Sequence, residues 1–233
     1  SFVHPDTPLR EALTEAAAKQ IVRLTENSGN YLPIGQLVDE KVIVNGIIVL
    51  LATGGSTNLT MHLVAMARAA GIMINWDDFS QLSQVVPLIA RIYPNGPADI
   101  NQFQAAGGLA LIIRELLKKG LIHRDVNTVA GFGIERYTLE PWLNEGKLDW
   151  REGAIQSLDK DVIADINTPF SSHGGTQVME GNLGRAVMKT SAVPDENKII
   201  EAPAVVFNSQ HDIAAKFSAG ELNKDCVVVV RYQ

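Results

Sequence analysis

The chain has 233 residues, of which 46% are hydrophobic and 20% charged, with a formal net charge of −6. That length buries a full core as one large domain or two small ones. The acidic balance argues against nucleic acid, which wants a basic stripe, and against an anionic membrane surface. The longest apolar run, Val42–Ala52, is broken by Asn45 and Gly46 and is far short of the roughly 20 residues that span a bilayer.

Thr7-Pro8 reads as a cap followed by proline at the first helical position, and Leu9, Leu13, Ala16, Ala17 and Leu24 keep helical period up to Asn27–Asn30. The run Asp39–Leu51 is ambiguous. Its Val and Ile content suits a strand, but its length and acidic start suit a fully buried helix, which is the reading taken. Next comes Ala52-Thr53-Gly54-Gly55-Ser56-Thr57-Asn58, a glycine turn with small polar residues where a helix would begin. Leu59, Leu63, Met66, Ala67 and Ala70 then recur at helical spacing, with Gly71 as a stop. A turn of this kind opening onto a helix N-terminus suits an anion. A plain capped helix stays open as the alternative. Further helices are expected over Trp76–Val86 and about Phe103–Lys119, the latter with Leu109, Ile112, Ile113 and Leu116 on one face. Pro94-Asn95-Gly96-Pro97 is a turn.

The texture changes near Trp150. After it come short β-like runs at Asp161–Ile166, Thr176–Met179, Ala186–Ser191, Ala204–Phe207 and Cys226–Arg231, interrupted by one helix near Gln210–Ala219. Helices followed by strands predict two domains, 1–153 and 154–233. The single cysteine, Cys226, allows no internal disulfide and fits a cytoplasmic home; in a valine run it reads as a small core residue.

Several residues invite chemistry, each beside a structural reading. His62 suits a satisfied, semi-buried histidine better than a catalytic base. Asp77-Asp78 suits the first turn of a helix, and His123-Arg124-Asp125 a solvated loop. Ser172-His173-Gly174-Gly175-Thr176 sets a second glycine pair beside an ionisable residue, and Gly181-Asn182-Leu183-Gly184-Arg185 adds a turn with a cation. Arg185 and Lys189 could meet a phosphate or carboxylate, or simply be solvated. No P-loop, GxGxxG after a strand, HExxH or paired CxxC occurs.

Together these stretches resemble one family. Ala52–Asn58 and Glu180-Gly181-Asn182-Leu183-Gly184 look like hallmarks of the dihydroxy-acid and 6-phosphogluconate dehydratase family. Within it, Ser1–Arg10, Tyr93–Asn101, Asn127–Gly133 and Ser209–Asp212 are similar to the branch acting on 6-phosphogluconate. The resemblance implies an α/β fold: a helix-rich later part of an amino-terminal domain, then the start of a β-rich, barrel-like swivelling domain. It implies a hydro-lyase of the Entner–Doudoroff route that converts 6-phosphogluconate to 2-keto-3-deoxy-6-phosphogluconate. It also implies an iron–sulfur cluster of the 4Fe-4S kind acting as Lewis acid, a serine alkoxide as base, a divalent cation such as magnesium, and a homodimer.

The sequence departs from that pattern. The family's cluster cysteines and its Thr-Asp-Gly-Arg stretch do not occur, and Cys226 matches no ligand motif. The chain is therefore expected to be an internal fragment, inactive by itself, with no catalytic residue or metal ligand of its own. Gly54, Gly55, Ser56, Thr57 and Asn58 are the expected substrate-binding turn, with His173, Arg185 and Lys189 on the facing side. A non-catalytic binding or assembly module on the same scaffold is the competing reading.

Overall fold

The structure is a computed structural model that describes residues 3–232; Ser1 and Phe2 of the opening motif, and Gln233, lie outside it. Helix α1, Pro8–Arg23, starts as expected, with Thr7 accepting from the Arg10 amide and Pro8 in the first turn. Leu9, Leu13 and Ala16 are half-buried while Ala17, Ile21 and Val22 are exposed, and the helix leans on a hairpin described below. A four-residue helix α2, Ile34–Leu37, leads to α3, Glu40–Thr53, which Asp39 caps through the Val42 amide at 2.9 Å.

Helix α3 is the centre of the core, which settles the ambiguity of that run. Ile43, Ile47, Ile48, Leu50, Leu51 and Ala52 are all buried. A helix covered on all sides needs no polar face, and burial outweighs the weak helix propensity of Val and Ile. Asn45, also buried, accepts from the His123 amide and donates to the His123 carbonyl, so its polar atoms are matched.

Around α3 pack α4 (Thr57–Ala69), α5 (Trp76–Val85) and, after the short α6 (Ile100–Ala105), α7 (Gly108–Lys118). Two expectations change here. The buried stripe of α4 is Thr60, Leu63 and Ala67, while Leu59, Met66 and His62 face solvent. The helix expected over Phe103–Lys119 is two helices, because Gly107 and Gly108 both take positive φ (130° and 58°) and turn the chain between them. Leu109 then falls outside the buried face. Asp99 caps α6 in a capping box with Gln102.

Strands begin earlier than predicted. After the two-residue pair β1 (Asn127–Thr128) and β2 (Gly131–Phe132) comes a hairpin, β3 (Leu139–Asn144) with β4 (Lys147–Glu152). Glu145 and Gly146, both at positive φ, make its two-residue turn. Asp161–Ile166 is not a strand. Aspartates at and just before it bind nearby amides instead: Asp159 accepts from Asp161 N at 3.0 Å and Asp165 from Asn167 N at 2.8 Å. This segment lies along residues 88–91, bonding Ala164 N to Ile89 O and Arg91 N to Val162 O. Buried Glu115 of α7 fastens it, accepting from the Ile166 amide at 3.0 Å and pairing with Lys118. The chain then forms a second hairpin, β5 (Gln177–Gly181) with β6 (Gly184–Met188).

A separate compact unit begins at Val193. In it, β7 (Ala204–Phe207) and β8 (Val227–Val230) pair in parallel across α8 (Gln210–Ser218), a βαβ unit. Cys226 is half-buried and Val227 and Val228 are exposed, so the valine run is not the buried strand expected. The fold is mixed α/β as predicted, with strands paired two by two and no closed barrel among the described residues.

Candidate functional site

The two glycine pairs singled out in the sequence meet. Gly54 ends α3 at φ 57°; its amide bonds Leu51 O at 3.3 Å and the Gly55 amide bonds Leu50 O at 2.9 Å. This is a Schellman ending, which needs a residue tolerant of left-handed backbone. Both glycine amides are therefore spent on α3, and a ligand can meet only the groups from Ser56 onward. Ser56 caps α4 by accepting from the Asn58 amide at 3.2 Å, and Ser56, Thr57 and Asn58 are exposed. They form a polar lip on a buried hinge.

Gly174 and Gly175 are buried against that hinge. The Gly174 amide bonds Ser83 O at 2.8 Å and the Gly175 amide bonds Leu51 O at 3.1 Å. A side chain on Gly175 would put its Cβ 2.7 Å from the Cα of Gly54, so only glycine allows the approach. Beside this contact lies Asn95, 8% exposed. Its Nδ2 donates to Gly54 O at 2.6 Å and its Oδ1 accepts from the Ser191 hydroxyl at 2.8 Å. Ser191 Oγ also lies 3.1 Å from Gly175 O. Two buried hydroxyls nearby, Ser83 Oγ and Thr176 Oγ1, have no hydrogen-bond partner.

The three facing candidates differ. Lys189 is half-buried, and burial pushes its ammonium below the usual lysine range. It directly follows β6, whose last residue Met188 pairs with Gln177. Arg185 is exposed and engaged by both carboxylate oxygens of Asp77 in the first turn of α5; that pair holds the guanidinium above its ordinary value. His173 is exposed, its Nδ1 3.0 Å from the Ser172 hydroxyl. Asp78 has the helix-start role read from sequence, accepting from the Asn75 amide. His123, Arg124 and Asp125 are exposed, with Asp125 paired to Lys41 and Arg124 to Glu135.

The sequence reading missed Asn95 and Ser191, which it treats as a turn residue and a strand residue. The repeated Gly-Gly is the signal that could have found them, since two close-approach backbones need a polar bridge when they are buried. Among the described residues, no three His, Cys, Asp or Glu side chains converge as a metal site.

Residues 1–137 match the family described as dihydroxy-acid/6-phosphogluconate dehydratase N-terminal, and residues 161–233 its C-terminal counterpart. The chain is 73% identical over its full length to a phosphogluconate dehydratase of Escherichia coli and 58% identical to one of Pseudomonas aeruginosa. It is 34% identical over 96% of its length to a dihydroxy-acid dehydratase of Caldanaerobacter subterraneus. It spans 39%, 38% and 38% of those proteins respectively. Matched over both of its parts, the chain belongs to the dihydroxy-acid/6-phosphogluconate dehydratase family.

Proposed function

We propose that this chain is part of a phosphogluconate dehydratase, a hydro-lyase that removes water from 6-phosphogluconate to give 2-keto-3-deoxy-6-phosphogluconate in the Entner–Doudoroff route. The observation that carries this reading is identity of 44–73%, over this chain's own length, to phosphogluconate dehydratases from several bacteria. In it, Gly54 and Gly55 shape the turn, and Ser56, Thr57 and Asn58 offer hydroxyl, amide and helix-end groups to the anionic substrate. Lys189 supplies a poorly hydrated cation, and Arg185 and His173 lie on the same β-rich part. A phosphorylated sugar acid, with a carboxylate and a phosphate, suits such scattered donors.

The family resemblance also implies an iron–sulfur cluster and a divalent cation. The residues in hand do not fit the cluster. Cys226 is the single cysteine and, among the described residues, no acid–histidine group converges, whereas a cluster needs several thiolates. We infer that the ligands of both groups, and the catalytic base, lie outside residues 1–233. What these residues do is bind, orient and shield. The domain boundary is proposed at 153/154, between the two family matches. A homodimer in the cytoplasm completes the proposal, resting on the resemblance and on a cysteine count that suits a reducing compartment.

The test is anaerobic assay of the intact protein with 6-phosphogluconate, coupled to iron and sulfide analysis. The expected result is turnover by the iron-loaded intact protein and none by residues 1–233. In Lys189→Met, KM should rise about tenfold with kcat nearly unchanged, as for uniform binding. Intact, iron-loaded protein without turnover refutes the reading and favours the binding-module alternative.

A further inference from the structure

We propose that Asn95 is a positioning residue. Through Ser191 it clasps the 52–58 turn to the 172–176 turn and so sets the place of the Ser56–Asn58 lip. The proposal rests on the function given above, in which that lip meets the substrate.

The argument begins with a backbone need. The last carbonyls of a helix have no partner within it, and at the end of α3 the Gly54 carbonyl is enclosed. Asn95 supplies the donor: its amide reaches Gly54 O at 2.6 Å, with Thr53 O at 3.5 Å beside it. The Asn95 backbone is itself held, its amide bonding Ile92 O at 2.8 Å while Tyr93 N bonds Ala98 O at 2.9 Å. The donor therefore comes from a fixed turn.

The other end of the same amide finishes the link. Oδ1 can only accept, and it accepts a hydrogen bond from the Ser191 hydroxyl at 2.8 Å. The Ser191 backbone amide bonds Gly175 O at 3.3 Å. Three segments far apart in sequence thus meet on one planar side chain. An aspartate would set a carboxylate oxygen against the Gly54 carbonyl, and a leucine could bond neither side. The glycines belong to the same device, because a Cβ on Gly54 would overlap the Asn95 amide and one on Gly175 would strike both Gly54 and Ser191.

Stability alone does not call for this arrangement. A buried polar side chain gains little over an apolar one of equal shape, but when fully satisfied it selects one conformation. The side-chain amide of Asn95 is spent on Gly54, two residues before Ser56, and on Ser191, which in turn holds Gly175, the neighbour of Thr176. The side chains of the lip are exposed, and the lip runs from the clasped hinge into the first turn of α4, so the clasp fixes the end at which the chain enters it.

The test uses the intact protein with Asn95→Asp, Ser191→Ala and the double variant. Amide hydrogen exchange is followed over 52–58 and 172–176, and kcat and KM for 6-phosphogluconate are measured once melting confirms folding. In Asn95→Asp both peptides should exchange about tenfold faster while α7 keeps wild-type protection. KM should rise about tenfold, with kcat held within about threefold. Ser191→Ala should do the same more weakly, and the double variant should add less than twofold to Asn95→Asp, because both break one link. If Asn95→Asp does not fold, Ser191→Ala carries the test. Unchanged exchange overturns the clasp. Faster exchange with unchanged KM overturns the positioning role, and so do effects that multiply in the double variant. Wild-type protein that fails to turn over 6-phosphogluconate refutes the functional reading and the positioning role with it, while the exchange measurement still decides whether the clasp exists.

Discussion

Gly54 and Gly120 offer a matched pair of substitutions. Each ends a long helix in left-handed backbone, at φ 57° and 64°, and each sits in the same hydrogen-bond pattern: Gly55 N to Leu50 O in one case, Leu121 N to Leu116 O in the other. They differ in surroundings. A Cβ on Gly120 would meet nothing within 4 Å, whereas one on Gly54 would run into the Asn95 amide and lie 3.1 Å from Leu88 Cδ1. Gly120→Ala should therefore cost only the left-handed strain of an L-residue, about 1–2 kcal/mol. Gly54→Ala carries that strain and also displaces a buried hydrogen bond, leaving the Gly54 carbonyl without its donor, a further loss of about 1–3 kcal/mol. For a unit of this size, 1 kcal/mol lowers Tm by about 2–4 °C, so the Gly54 variant should melt several degrees below the Gly120 variant. Thermal melts of the two variants of the intact protein, followed by circular dichroism, make the comparison. Equal losses would refute the reasoning, because backbone strain would then explain both sites and the Asn95 contact would contribute nothing.

Two further outcomes concern pH. Burial lowers the Lys189 ammonium below its ordinary 10.5, so the folded state disfavours the proton. Lys189→Met should stabilise the protein at pH 7, and urea titrations should show that gain fading as pH rises toward 10.5, where both states lose the charge. Asp99, held below the ordinary 3.8 by the Gln102 amide first and by Asn101, gives α6 a cap that is present above pH 3.8 and lost as pH falls through its lowered value. Asp99→Asn keeps a good capping side chain but cannot titrate, so its acid unfolding curve should be flatter than wild type.

Local signals carried most of the helical half. Thr7-Pro8, Asp39 and Asp77-Asp78 mark helix starts by chemistry that needs no tertiary partner, and the structure has those starts where the sequence predicts. The failures are places where a long-range partner or a competing local bond decides. Gly107-Gly108 breaks a helix whose apolar spacing runs on through it. Asp159 and Asp165 divert a strand-like run into turns. The β3–β4 hairpin escaped because Glu145-Gly146 is a less familiar turn pair than Asn-Gly, and Pro141 interrupts its first strand. The candidate site was half legible. Both glycine pairs stand out in the sequence, but that they touch is a fact of packing, and the Asn95–Ser191 bridge spans 96 residues.

The parallel pair β7–β8 has a practical side. Each strand has a neighbour on one flank only among the described residues, and Val206, Val227 and Val228 remain open to water. Parallel sheets are ordinarily covered on both faces, and bare, valine-rich ladders recruit strands from other molecules. Material limited to residues 1–233 should therefore clump as its concentration rises, and a soluble preparation would call for charged replacements at Val206 and Val228 before any biophysics is attempted on it.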